Sequence, residues 1–175
     1  MGISDGMSYS SILVKFCFLL ILTSAVASWI AFTTSSWGVN SDTVYTGIWR
    51  RCQGQVCVML DGYPKVWFGV FQAFAIIGFM GINVAVVTIA LYMFGASCKG
   101  NRETGFVAAL VCIFTALFWL IAVIIFGAKY ELDDEVSGPD SLDRLGFSFG
   151  LAVAALGLEL IVGILMVLEV RLKAK

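Results

Sequence analysis

Cysteine is the residue type with which this chain could do covalent chemistry. Cys52 and Cys57 flank Gln53-Gly54-Gln55-Val56 in a polar stretch between two long apolar runs. Strand-favouring residues at 44–49 and 56–60 surround a turn at Gln53-Gly54-Gln55, so a small antiparallel sheet is the expected local structure. Two strands alone are marginal in water, which makes a cross-link and support from helix ends necessary. A strand–turn–strand brings two α-carbons within bridging range. A disulfide persists there if the loop faces an oxidising compartment. The alternatives are two free thiols or half a zinc site; with no histidine in the chain and no third cysteine nearby, zinc is short of ligands. Of the remaining cysteines, Cys17, Cys98 and Cys112, the second stands beside Lys99, where reversible palmitoylation competes with an unmodified thiol.

Other chemistries find no support. There is no nucleophile–base pair, no glycine-rich phosphate loop and no cluster of metal ligands. The net charge is −1 without a polybasic run, which argues against a nucleic-acid partner. The expectation is a non-enzymatic protein that needs no cofactor.

The elements that must position the cysteines are membrane spans. Of the 175 residues, 60% are hydrophobic and 13% charged, with mean hydropathy +0.95, more apolar side chain than one small soluble core can hide. Four runs, 12–32, 66–94, 106–127 and 146–168, reach the ~20 residues that a spanning helix needs. Outer loops at 33–64 and 128–145, an inner loop at 95–105 and a tail at 169–175 complete one tetraspan domain. Lys15, the apolar 16–22 and Ala25-Val26-Ala27 also resemble a cleavable signal, but the run continues through Trp29-Ile30-Ala31-Phe32 and so reads as a span. Lys99 and Arg102 in the middle loop, with Arg171, Lys173 and Lys175 in the tail, mark the cytoplasmic side. A multi-pass plasma-membrane protein follows, both termini inside and the Cys52/Cys57 loop outside. The second outer loop is acidic, six acids against two bases over residues 128–145; it either attracts a basic surface or keeps its hairpin in water.

Inside the spans, Glu159 breaks the pattern, because a charged side chain there costs about 2.5 to 3.5 kcal/mol on the insertion scale. Asn83 lies at comparable depth on the second span, so a buried hydrogen bond between the two is expected. Glu159 is then either a protonated structural residue or a grip on a partner's helix. Gly146, Gly150 and Ala154 recur every four residues, with Gly157 near the same stripe, a spacing that lets helices approach closely in lipid. Packing within the bundle is the expected use; a dimer face is the alternative.

Trp37, Gly47-Ile48-Trp49-Arg50-Arg51-Cys52 and Cys57, between the first two spans, together resemble the signature of the claudin and peripheral myelin protein/epithelial membrane protein superfamily, with Ile48 in place of leucine. The four-span layout and Gly146-Phe147-Ser148-Phe149 opening the last span are similar as well. The close cysteines and the twelve positions from Trp37 to Trp49 look more like the myelin-protein branch or a divergent invertebrate claudin. The resemblance implies an all-α membrane protein, a left-handed four-helix bundle capped by a small extracellular antiparallel β-sheet. Trp37, Gly47, Trp49 and the disulfide would pin that sheet, the tryptophans otherwise serving as simple interfacial anchors. It further implies a role in cell–cell contact, junction or epithelial barrier organisation, the partners being the bilayer and this protein or related tetraspans in cis or in trans. The alternative is an auxiliary subunit of a channel or receptor. Lys173-Ala174-Lys175 is not the terminal motif of claudins that bind a PDZ scaffold, so no such partner is expected through this end.

Overall fold

The computed structural model describes residues 10–40, 44–60, 62, 65–130 and 144–173. Four helices form its body: α1 (Ile12–Thr33), α2 (Val66–Phe94), α3 (Arg102–Tyr130) and α4 (Phe147–Lys173). Each is long and apolar enough to cross a bilayer, and a helix is the form in which an isolated segment satisfies its own backbone in lipid. The ends are locally specified. The Ser11 side chain accepts from the Val14 N–H at 3.2 Å and caps α1. At its other end, Thr34 turns its N–H back to the Ile30 carbonyl. Asn101 Oδ1 accepts from the Glu103 N–H at the start of α3.

The helices neighbour one another in a ring: α1 packs on α2 and α4, and α3 packs on α2 and α4. Glycines on α2 let α3 approach closely. Trp119 and Thr115 of α3 lie over Gly78 and Gly81 of α2, filling the space a Cβ would need. The interior has two layers. One is built mainly from small and aliphatic residues such as Val14, Cys17, Ile21, Ile89, Cys112 and Met166. The other is aromatic, with Trp37, Phe68, Phe71, Trp119, Phe126 and Tyr130, and lies toward the sheet. Leucine, isoleucine, valine and phenylalanine cover the outside of the helices, as lipid-facing surfaces require.

The sheet has five antiparallel strands in the order β4-β3-β2-β1-β5: β1 (Gly38–Asn40), β2 (Val44–Thr46), β3 (Arg50–Gln53), β4 (Val56–Met59) and β5 (Arg144–Leu145). Two corrections to the sequence reading follow. The strand-like run 44–49 is a strand only to Thr46; the chain then turns through Gly47-Ile48-Trp49 and starts β3 at Arg50. The sheet also recruits β5 from the second loop, through Gly38↔Leu145 and Val39↔Arg144. Burial declines across the sheet, from β1 and β2 against the bundle to β4, where all four residues are exposed.

Candidate functional site: a disulfide-held sheet on the bundle

Cys52 and Cys57 face each other in the β3–β4 ladder and are joined by a disulfide, with α-carbons 4.0 Å apart. The turn between them is Gly54-Gln55, and Gly54 adopts φ 57°, a backbone state that glycine enters without a Cβ penalty. The bond therefore locks the strand pair farthest from the bundle.

Trp37 holds the near edge of the sheet. Its ring is fully buried, and its indole N–H donates to the Ala31 carbonyl at 2.7 Å. Phe71, Phe126 and Phe149 present edges to it at 5.1, 5.3 and 6.0 Å, and Trp119 stacks at 6.2 Å. Its backbone is committed too: the N–H donates to the Thr46 carbonyl at 2.9 Å, and its carbonyl accepts from Gly146 at 2.8 Å. A residue joined to α1, the sheet and the entry to α4 is a keystone of the core, not an anchor in the lipid interface.

Gly47 is required by proximity. A Cβ there would lie 2.6 Å from the Ser35 α-carbon and 2.9 Å from the Thr34 carbonyl, where the chain leaving α1 crosses beneath the sheet. Ile48 is fully buried, and its carbonyl accepts from Gln72 Nε2 at 2.8 Å, so the polar residue of the second span ties the sheet to α2. Trp49 is half-buried, its ring edge-on to Phe32 at 5.3 Å, and its carbonyl accepts from Leu60 at 2.8 Å. Sequence reasoning missed this tie between Gln72 and a carbonyl 24 positions away. It also missed Gly38, packed against the Tyr130 ring, and the close approach of Gly146 to the Ser36 backbone.

The residues inside the spans fall elsewhere. Glu159 is fully buried and is hydrogen-bonded to the Thr115 hydroxyl of α3. Asn83 is not its partner. Asn83 Oδ1 accepts from Trp29 Nε1 at 3.1 Å, and Nδ2 donates to the Phe79 carbonyl at 2.6 Å. Similar depth did not mean a shared face: Asn83 turns toward α1, while Glu159 meets α3. The small-residue stripe needs a second correction. Gly146 does pack, but Gly150 and Ala154 are exposed, Gly157 is half-exposed, and a Cβ added at Gly150 or Gly157 would meet nothing within 4 Å. That stripe points out of the bundle. Cys98 is half-buried in the α2–α3 turn, while Cys17 and Cys112 are buried. Most of the acidic outer loop and the terminal Ala174-Lys175 lie outside the described residues.

At the far edge of the sheet, Val56, Val58 and Met59 are 68, 63 and 62% exposed. A groove of about 710 Å³ beside them is lined by Arg51, Gln53, Val56, Val58, Met59 and Leu60. An apolar strand with one unpaired edge is thus held at one end of a four-span bundle.

This arrangement defines a multi-pass membrane protein with four spans that carries a disulfide-linked sheet at one end of its helix bundle. The chain belongs to the PMP-22/EMP/MP20/Claudin family, whose model matches residues 9–166, and members of that family are non-enzymatic membrane proteins. Among individual curated proteins, none matches the chain.

Proposed function

We propose that this protein acts in cell–cell contact, organising a junction or epithelial barrier at the plasma membrane through its outer sheet. The observation that carries the reading is β4. An edge strand offers unpaired N–H and C=O groups to another chain, and soluble proteins blunt such edges with lysine, proline or a bulge. Here the edge strand is Val56-Cys57-Val58-Met59, with no charge, and all four side chains are exposed. An uncharged strand meets a second copy of itself antiparallel without like-charge repulsion, which favours this protein or a close relative as the partner. The disulfide and the keystone Trp37 keep the strand preformed, so little ordering entropy opposes pairing.

The test is co-culture of cells expressing the tagged protein, scoring enrichment where two expressing cells touch. Enrichment is expected with the wild type. It should fall to the level of non-contacting membrane in Val56→Lys/Val58→Lys, which charges the edge, and in Cys52→Ser/Cys57→Ser. Uniform staining of the wild type would sink homotypic contact.

A second reading, an auxiliary subunit of a channel or receptor, is favoured by the outward stripe of Gly150, Ala154 and Gly157, since small residues facing lipid invite a partner helix. Proximity labelling that captures a channel and is abolished by Gly150→Leu/Gly157→Leu would favour it.

A further inference from the structure

At the end of the bundle opposite the sheet, α3 and α4 enclose a groove of about 480 Å³ lined by Arg102, Glu103, Phe106, Val167, Val170 and Arg171. Its construction repeats on both helices. Arg102 stands one turn beyond Phe106 on α3, and Arg171 stands one turn beyond Val167 on α4, so on each helix an arginine and an apolar residue share the face that lines the groove. A single interfacial arginine snorkels to whatever phosphate is nearby. Two from different helices lining one groove make a site instead.

The charges there are unspent. Lys173, the other cation at this end of α4, is committed to Glu169 at 3.0 Å and to the Tyr92 hydroxyl at 3.1 Å. Among the described residues, neither Arg102, Arg171 nor Glu103 joins that ion pair or forms another. The groove therefore presents two guanidiniums and one carboxylate above a floor of Phe106, which is half exposed, and Val167.

We propose that this groove binds phosphatidylserine from the surrounding leaflet. The phosphoserine headgroup carries two anions, a phosphodiester and a carboxylate, and one ammonium, which is the inverse of the charge set in the groove. Each arginine suits an oxyanion, because the planar fork binds phosphate or carboxylate through paired N–H groups. Glu103 receives the ammonium. The apolar floor takes the start of an acyl chain. Phosphatidylglycerol would satisfy one arginine and leave Glu103 without a cation; phosphatidylcholine would bring a quaternary ammonium that cannot donate a hydrogen bond. Anionic serine lipid is concentrated in the cytoplasmic leaflet, the side on which the basic loop and tail place this groove.

Native mass spectrometry of the full-length protein in non-ionic detergent tests the site, with dioleoyl-phosphatidylserine, -phosphatidylglycerol and -phosphatidylcholine added separately. Phosphatidylserine should be retained preferentially. Arg102→Gln/Arg171→Gln should weaken its retention about 25-fold, near fivefold for each basic residue at a membrane surface. Its helix content and intact disulfide serve as folding controls. Glu103→Gln, an exposed single change, should abolish the preference for phosphatidylserine over phosphatidylglycerol without weakening the latter. Soluble O-phosphoserine should not displace the lipid. Equal retention of the two anionic lipids by the wild type would overturn the headgroup assignment, as would an unchanged preference in Glu103→Gln. Displacement by soluble phosphoserine would overturn the membrane source.

Discussion

Trp37 and Glu159 are both large, polar-tipped and fully buried, yet they serve different needs. Trp37 gives its N–H to Ala31 and its faces and edges to four aromatic rings, so truncation leaves both an empty volume and an unsatisfied carbonyl. Large-to-small changes at such aromatic sites cost about 3 to 5 kcal/mol. Trp37→Ala should therefore reduce the fraction of monodisperse protein that survives heating in detergent far more than Trp49→Ala, whose ring is only half-buried. Equal losses would mean that Trp37 is not the keystone. At Glu159 the count of hydrogens is informative. Thr115 Oγ1 lies 2.7 Å from the Val111 carbonyl of its own helix and also meets Glu159 Oε1, yet the hydroxyl owns one hydrogen. The hydroxyl serves as donor to Glu159 Oε1 and shares its hydrogen with the Val111 carbonyl. Glu159→Gln keeps an amide oxygen to accept that bond and should stay within about 1 kcal/mol of wild type, the scale of an interhelical hydrogen bond in lipid. The same heating assay checks it. A Gln variant that folds normally but no longer reaches cell borders would move Glu159 from structure to function.

Helix contacts explain why some glycines are indispensable and others are free. A Cβ at Gly81 would run into the Thr115 methyl group, Cγ2, whereas one at Gly150 would meet nothing within 4 Å. Gly81→Ala should therefore destabilise by about 1 to 3 kcal/mol, and Gly150→Ala should be neutral or stabilising through its better helix propensity. Adding Thr115→Ser to Gly81→Ala removes the colliding methyl and keeps the hydroxyl for Glu159, so the double variant should recover much of the loss. Failure to recover in thermal denaturation would place the strain elsewhere. These pairs also mark how far the sequence could be read. Four apolar runs were legible because lipid permits little else, and the Cys52–Cys57 bridge was legible from compartment and spacing. The glycine stripe was legible as a stripe, but not its direction, because spacing fixes which residues share a face and leaves open which way that face turns. The same limit misassigned Asn83, which turns to Trp29. Strands β1 and β5, of three and two residues, are too short to leave a period in the sequence. Their pairing across about a hundred positions follows from how the helices bring two loops together.

For the whole molecule, the sheet at one end and the basic groove at the other fit one orientation in the membrane, and the cysteines report it. Cys52 and Cys57 are bonded at the sheet end; Cys17 and Cys112 are buried in the bundle, and Cys98 is half-buried in the opposite turn. A membrane-impermeant maleimide applied to intact cells should therefore label nothing. Mild reduction from outside should add the two cysteines of the sheet, and permeabilisation without reduction should add Cys98 instead. Cys98 that stays unlabelled after permeabilisation, and becomes reactive only after hydroxylamine, would identify a thioester-linked acyl chain on it. Labelling of Cys98 on intact cells would invert the protein. The apolar edge of β4 would then face the reducing cytoplasm, where its disulfide would not persist, and contact between cells through the sheet would be physically excluded. One labelling series thus tests orientation, bridge and contact function together, because all three depend on which side of the bilayer the sheet occupies.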